Sequence, residues 1–321
     1  MNDPLRRLLA SRWTWAALLL PLALLLPPIP IDETRYLTAT WEMTLSGHWL
    51  LPTVNGALYT DKSPFLFWLI ASGWKVFGVH TWVARALALA VTWTMLELLR
   101  RLARRFALDA AAMWLLAGCA GIAIFASAIM FDLLLAACVL LAMHALLDLD
   151  AARWRRGVGV LGAAIGLGVL AKGPVVLLHV MGAALLAPWW SATARAAKAR
   201  WYGALAAGIG LGAAIALAWL LPAAWLGGPQ YWEPLLQKVS GRLHESFAHA
   251  RPPWWYLPLL PVLLLPWTLA LRAPRAAWAA LWRERAGRFA LAWCVPPFLA
   301  FCLISGKQVH YLIPLLPALA L

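Results

Sequence analysis

Stretches of about twenty residues with almost no charge recur along this chain, and no other feature constrains its fold as much. A helix needs roughly 20 apolar residues to cross a bilayer's hydrocarbon core. Inside that core every backbone N–H and C=O must find its partner within the protein. Charged residues make up 12% of the 321 and hydrophobic ones 64%, with a mean hydropathy of +0.75. A soluble domain carries about twice that charge. The sequence predicts an all-α polytopic membrane protein.

Spans are expected near residues 13–31, 82–99, 110–128, 132–148, 157–171, 173–190, 201–221, 254–271 and 289–305, with a tenth opening near 309. The first run follows Arg6, Arg7 and Arg12 as a signal peptide's would. It is long, contains Pro21, Pro27 and Pro28, and lacks a clear small-x-small cleavage site, so it reads as a retained span. Cys119, Cys138, Cys294 and Cys302 all lie in apolar runs without metal-ligand spacing and read as small core hydrophobes.

Charge sets the expected sidedness. Alternate gaps hold "RRLARR" (100–105), "ARWRRG" (152–157), "ARAAKAR" (194–200) and the arginine-bearing stretch 272–288. With the N-terminal arginines these contain 18 of the 27 Lys and Arg residues. The positive-inside rule assigns them to the cytoplasm. In a soluble chain a net charge of +14 would suggest nucleic acid; here the loops account for it, and no nucleic-acid partner is expected. The other gaps then face the periplasm: a first loop over 32–81, short turns near 129–131, 172–174 and 306–310, and a later loop over 222–253. They bring Asp32, Glu33, Glu42, Asp61, Lys62, Asp132, Lys172, Glu233, Arg242, Glu245 and Lys307 to one face.

The first loop is too long for a mere connector. Asp32 precedes a pattern in which Leu37, Trp41 and Leu45 recur every four residues, as in a helix lying in the interface plane. Asp32 can be the N-cap of that helix, or it can carry chemistry; the pattern leaves both open. "NG" (55–56) and "YTDKSP" (59–64) mark turns, and residues 65–77 read as a second interfacial helix. Lys62 is either a solvated turn lysine or a point charge for a phosphate.

Several fragments in order carry a family resemblance: "DETRY" (32–36), "NG…Y.DKSP..FW" in the first loop, "AR" (84–85), Asp132, "AKGP" (171–174), "RLHESFAHARPPWWYL" (242–257), "LPW" (265–267) and "SGKQVHYLIPLLPAL" (305–319). The chain resembles the GT-C superfamily of integral-membrane glycosyltransferases, in the bacterial branch that contains lipid A aminoarabinose transferase and is related to protein O-mannosyltransferases. The resemblance implies a bundle of about ten transmembrane helices with interfacial helices in the first outer loop. It implies an inverting transferase that takes a sugar from a polyprenyl-phosphate donor on the periplasmic face of the inner membrane. The acceptor is a lipid, protein or glycan. By the same resemblance Asp32, Glu33 and Asp132 belong to the catalytic set, with Asp32 the candidate general base. Arg35, Tyr36, Lys62, Lys172, Arg242, Lys307 and Tyr311 belong to the donor and phosphate set.

Where related transferases carry Glu-His before the arginine matched by Arg242, this chain reads "KVSGR", and Asp61 stands where a glutamate is usual. Asp61, His244 and His249 are the remaining candidates for a divalent cation, and no cofactor is assigned. Family members continue beyond the tenth span to a soluble outer domain that this sequence does not include, as in a fragment or a shortened relative. A transporter or flippase of a lipid-linked substrate is the competing reading, and an inactive membrane-anchored subunit a third. Transporters hold ionisable residues near the midplane on broken helices; here the charges cluster at span ends on one side.

Overall fold

In a computed structural model of the chain the described residues are 17, 19–21, 24–108, 111–234, 237, 249–270 and 275–321. Most of the first expected span, and with it Arg242, His244 and Glu245, lies outside them. The chain is helical, with one small exception to the all-α expectation. After helix α1 (Asp32–Ser46) comes a hairpin of two-residue strands, β1 (Thr53–Val54) and β2 (Ala57–Leu58), paired antiparallel. Asn55 and Gly56 both have positive φ (54° and 76°), the backbone that a tight two-residue hairpin turn requires. Helix α2 (Phe65–Phe77) closes the loop.

Then follow α3 (Thr81–Arg104), α4 (Ala111–Ala117), α5 (Ala120–Phe125), α6 (Phe131–Asp150), α7 (Trp154–Lys172), α8 (Val175–Leu185), α9 (Ala187–Trp190), α10 (Ala192–Ala196) and α11 (Lys198–Gly227). The last elements are α12 (Tyr256–Leu263), α13 (Trp267–Ala270), α14 (Arg275–Arg283), α15 (Arg285–Leu303), a 3₁₀ segment over Val309–Leu315, and α16 (Leu316–Leu319). Among the described residues five helices are long and apolar enough to cross a membrane: α3, α6, α7, α11 and α15. Helix α6 is the axis of the bundle, with 83% of its apolar stretch buried in protein, against 28% for α11, which leaves α11 at the lipid-facing rim. Helices α7 and α11 approach closely through glycines on both sides. Gly162 and Gly166 receive Leu211 and Ile215, while Gly208 and Gly212 receive Leu161 and Ile165. At each glycine an added Cβ would lie within 2.7 Å of those side chains. Small residues one turn apart are how helices pack where no water drives them together.

Three expected spans are not single helices. The stretch expected at 110–128 breaks into α4 and α5 around Gly118–Cys119, and the one at 254–271 breaks between α12 and α13 at Leu264–Pro266. The two breaks satisfy each other: the Ala120 amide donates to the Leu265 carbonyl (2.8 Å), and the Trp267 indole donates to the Leu115 carbonyl (2.6 Å). Hydropathy measures transfer into lipid, not helix continuity, so it cannot see a break whose backbone is paired by a neighbour. The stretch expected at 173–190 likewise divides, into α8 and α9 ahead of Pro188. The tenth run is a buried 3₁₀ segment packed on α6, containing Pro314 and followed by Pro317.

Helix α1 buries Glu33, Tyr36, Ala39, Thr40 and Met43 and turns Trp41 and Leu45 outward. The four-residue stripe thus lies on the outer surface, as an interfacial helix requires. Its C-terminus stops at Gly47, whose left-handed φ of 71° lets its amide reach the Met43 carbonyl.

The ion pairs fall into two sets at opposite ends of the long helices. At one end Arg105, Arg153 and Arg156 surround Asp148, and Arg285 pairs with Asp150. At the other, Arg85 pairs with Glu33 and Lys172 with Asp132. The loops that charge alone sorted into two groups are sorted the same way here.

Candidate active site

The end of the bundle opposite the Asp148 cluster is built around a buried ion pair. Arg85, near the start of α3, donates to the Glu33 carboxylate at 2.7 Å; both side chains are almost fully buried. Arg85 also donates to the carbonyls of Pro27 (2.7 Å) and Ser127 (3.0 Å). The two oxygens of Glu33 accept from the amides of Ile29 and Ile129, each at 2.7 Å. One charge pair therefore ties the start of α1, the start of α3 and the turn before α6. Every Glu33 oxygen is engaged in holding backbone, so its geometry is that of a clamp. In the sequence Arg85 is the arginine of the "AR" pair that opens an apolar helix.

Asp32 is the first residue of α1, and the cap position belongs to Ile31, with no side-chain cap bond. The capping reading of Asp32 is thereby corrected: the Glu33 clamp takes over the backbone at this helix start, and the Asp32 carboxylate is left partly exposed. Tyr36, one turn on, reaches Asp32 Oδ1 at 3.5 Å, the edge of hydrogen-bonding range. Its ring packs edge-on against Phe131 (centroids 4.9 Å apart), and Phe131 against Phe67 (5.4 Å). Burial first, then the negative charge of Asp32, pushes the Tyr36 phenol well above its ordinary pKa, so it stays a protonated donor. Arg35 lies beside the Tyr59 hydroxyl, and that neighbour, with the charges of Asp61 and Asp32, raises the guanidinium's pKa. Burial raises the Tyr59 pKa as well, against the pull of Arg35. Tyr59 was missed at the sequence level although the loop motif contains it.

Lys62 lies 5.7 Å from the Tyr36 ring centroid and 5.8 Å from that of Phe131, within range of a cation–π attraction. The turn lysine is thus brought over the aromatic floor of the cluster. Asp132, in the first turn of α6 and 2% exposed, pairs with Lys172 at the end of α7. His310 Nε2 approaches the other Asp132 oxygen at 3.8 Å. Lys172 in turn sits 4.4 Å from the Tyr311 ring centroid. His310 is within electrostatic reach of Asp132, Lys172, Lys62 and Asp32 together, so these groups form one cluster. His310 was not singled out in the sequence, where it ends "GKQVH". The Tyr256 hydroxyl fixes its backbone neighbourhood, donating to the Gln308 carbonyl (3.0 Å) and accepting from the Gln308 amide (3.2 Å).

Lys307 is used differently. It is 2% exposed, and its ammonium donates to the carbonyls of Arg251 (3.1 Å) and Ile304. Burial lowers its pKa. Around it residues 249–251 and 305–307 pair through Ala250 and Gly306, the Arg251 amide reaching Ser305 and the Lys307 amide reaching His249. The lysine joins these two segments. Among the described residues no three His, Cys, Asp or Glu side chains gather as a metal site. Asp61 and His249 therefore belong to no such set, and His244 and Arg242 lie outside the described residues.

Comparison with known proteins gives a consistent neighbourhood. No protein-family model matches the chain. It is 33% identical to an undecaprenyl phosphate-alpha-4-amino-4-deoxy-L-arabinose arabinosyl transferase of Pseudomonas paraeruginosa, over 97% of this chain and 59% of that protein. The transferase of the same description from Pseudomonas aeruginosa (strain UCBPP-PA14) is also 33% identical, over 98% and 59%. The crystal structure of ArnT from Cupriavidus metallidurans bound to undecaprenyl phosphate superposes with a TM-score of 0.77 at 24% identity, over 97% of this chain and 59% of that one. Its apo form gives 0.79 at 23% identity, over 95% and 56%. The chain spans about three fifths of the length of these relatives. The resemblance read from the sequence is borne out: over nearly all of its own length this multi-pass membrane chain is similar in sequence to the aminoarabinosyl transferases, and it has the fold of their solved relative.

Proposed function

We propose that the chain carries the transfer site of an inverting glycosyltransferase that uses a polyprenyl-phosphate-linked sugar on the periplasmic face of the inner membrane. The first donor to test is the one in its relatives' name, undecaprenyl phosphate-linked 4-amino-4-deoxy-L-arabinose, with lipid A as acceptor. The observation that carries this reading is the convergence of Asp32, Arg35 and Tyr36, of Asp61 and Lys62, of Asp132, of Lys172, and of His310 and Tyr311 at one end of the bundle. Counting the broken stretches at 110–128, 173–190 and 254–271 and the run from 309 beside the five long helices, the bundle fits the expected design of about ten spans, with residues 32–81 and 222–253 as the outer loops.

In this mechanism the bond between the anomeric carbon and the phosphate oxygen breaks, and negative charge grows on the leaving phosphate. Lys62, beside the aromatic floor, stabilises that charge. Arg35, beside Tyr59 and Asp61, flanks it. An acceptor oxygen attacks from the opposite face and inverts the carbon. Asp32, partly exposed at the head of α1, takes its proton or, for a phosphate acceptor, orients it. Asp132 and Lys172 neutralise each other beside the site, and the Tyr311 ring stands over the lysine. Glu33 positions Asp32 through Arg85 and does not react. Tyr311 lines the approach of the lipid phosphate, a role the resemblance also gives Arg242, while Lys307 holds the backbone of residues 251 and 304 beside it.

Replacing the charge at Lys62 tests this. Lys62→Met should weaken donor binding by roughly 1.5–3 kcal/mol, the range for a hydrogen bond to a charged group. Lys62→Arg should recover only part, since a planar fork differs from a point charge. Binding of undecaprenyl phosphate to purified protein, beside sugar-transfer assays, reads both. Unchanged affinity in Lys62→Met would return it to a solvated turn lysine.

A further inference from the structure

The arginine end of the bundle has its own organised cluster, which the sugar-transfer reading does not use. Asp148, at the end of α6, has a side chain only 3% exposed and receives three guanidiniums: Arg105 (2.9 Å), Arg153 (2.6 Å) and Arg156 (3.1 Å). Two residues on, Asp150 pairs with Arg285 and accepts from the Ser191 hydroxyl. Arg285 also lies 5.1 Å from the centroid of Phe106, next in the chain to Arg105. Four arginines from three separate gaps of the sequence thus meet two carboxylates. One turn beyond Arg285, Arg288 has a buried Nε with no hydrogen-bond partner among the described residues. The positive-inside rule explains which side these arginines occupy. It does not explain why they converge on one partly desolvated patch with a surplus of positive charge.

We propose that this patch binds the phosphate of an anionic phospholipid from the leaflet opposite the transfer site. Asp148 is the organising anion that holds Arg105, Arg153 and Arg156 in a fan, and a phosphodiester supplies the missing negative charge. Arg153 and Arg156 keep about half or more of their side-chain surface exposed (49% and 70%), and Arg285 44%. Their outward N–H groups match the planar, forked geometry that phosphate oxygens accept. Basic pockets between helix ends at the membrane surface are the setting in which lipid head groups are recognised. The site owes nothing to the identity of the sugar donor.

The test is lipid binding to the purified full chain by native mass spectrometry. Phosphatidylglycerol and cardiolipin are compared with phosphatidylcholine, and inorganic phosphate is added as a competitor. Anionic lipid should be retained in preference to phosphatidylcholine and should withstand inorganic phosphate. The double variant Arg153→Gln/Arg156→Gln should bind anionic lipid roughly 30-fold more weakly. Arg101→Gln removes an exposed charge at the same end, paired within its own helix to Glu97, and should change binding little. Equal retention of phosphatidylcholine in the unaltered protein would overturn the proposal without any variant having to fold. An equal loss in Arg101→Gln would reduce the patch to diffuse positive charge and also overturn it. Displacement by equimolar inorganic phosphate would make this a free-phosphate site, and the lipid assignment would fall.

Discussion

Adjacent carboxylates at positions 32 and 33 do different work, because a helix start turns neighbouring side chains about 100° apart. Glu33 points into the protein and spends both oxygens on Arg85 and two backbone amides. Asp32 stays partly exposed and faces Tyr36 one turn on. Asp32→Asn should therefore fold almost normally, losing at most about 1 kcal/mol of charge–dipole stabilisation at the helix N-terminus. It should transfer sugar at least ~100-fold more slowly. Near-normal turnover by purified Asp32→Asn would move the proton acceptor elsewhere in the cluster. Arg85→Met has the opposite signature. It strands a carboxylate in the interior and should cost roughly 3–5 kcal/mol. Adding Glu33→Gln should recover part of that loss. Thermal unfolding of the three proteins in detergent measures this, and a harmless Arg85→Met would remove the clamp. At this scale the sequence told which residues share a face but not which of two adjacent acids is buried. Burial of Glu33 depends on Arg85, 52 residues away, and no local pattern contains it.

The hairpin and α1 act as one element through Glu42. Its carboxylate accepts from the Thr53 hydroxyl (2.6 Å) and from the amides of Asn55 (2.5 Å) and Gly56 (3.2 Å). The Thr53 hydrogen bond, with the two amides, lowers its pKa against a smaller opposing effect of burial. A group whose pKa is depressed on folding stabilises above its unfolded value, and that stability is lost as pH falls through the folded value. The hairpin amides should therefore be protected from hydrogen exchange at neutral pH and lose protection at pH values below the ordinary carboxylate range. Glu42→Gln should show the unprotected pattern already at pH 7. Identical exchange in both proteins across that range would exclude the tether. Turn chemistry made this element partly legible, because "NG" requires left-handed backbone at both positions. The acid that holds it is 11 residues upstream of its first partner and was visible only as one more outer-face charge. The long spans were legible for a similar reason: α3, α6, α7, α11 and α15 each fall within a few residues of an expected run. The paired breaks at 118–119 and 264–266 were not, since each exists only because the other completes its backbone.

For the whole molecule, the strongest inference from sequence is sidedness, and the two ion-pair clusters now give it a geometry. If the arginine cluster is cytoplasmic, every residue of the transfer site faces outward, where a lipid-linked donor is used. The four native cysteines, three buried and one half-buried, leave labelling to introduced ones. Ala57→Cys in β2 and Ala199→Cys near the start of α11 are exposed positions at the two ends. On intact spheroplasts a membrane-impermeant thiol reagent should modify Ala57→Cys and spare Ala199→Cys, with both labelled after permeabilisation. The unaltered protein should remain dark throughout. The reverse pattern would put Asp32, Lys62 and Asp132 in the cytoplasm. A donor presented on the outer leaflet could not then reach them, so the proposed transfer site would fail together with the topology. The Asp148–arginine cluster would survive that reversal as a lipid site, because its argument rests on converging charge and not on which compartment it faces.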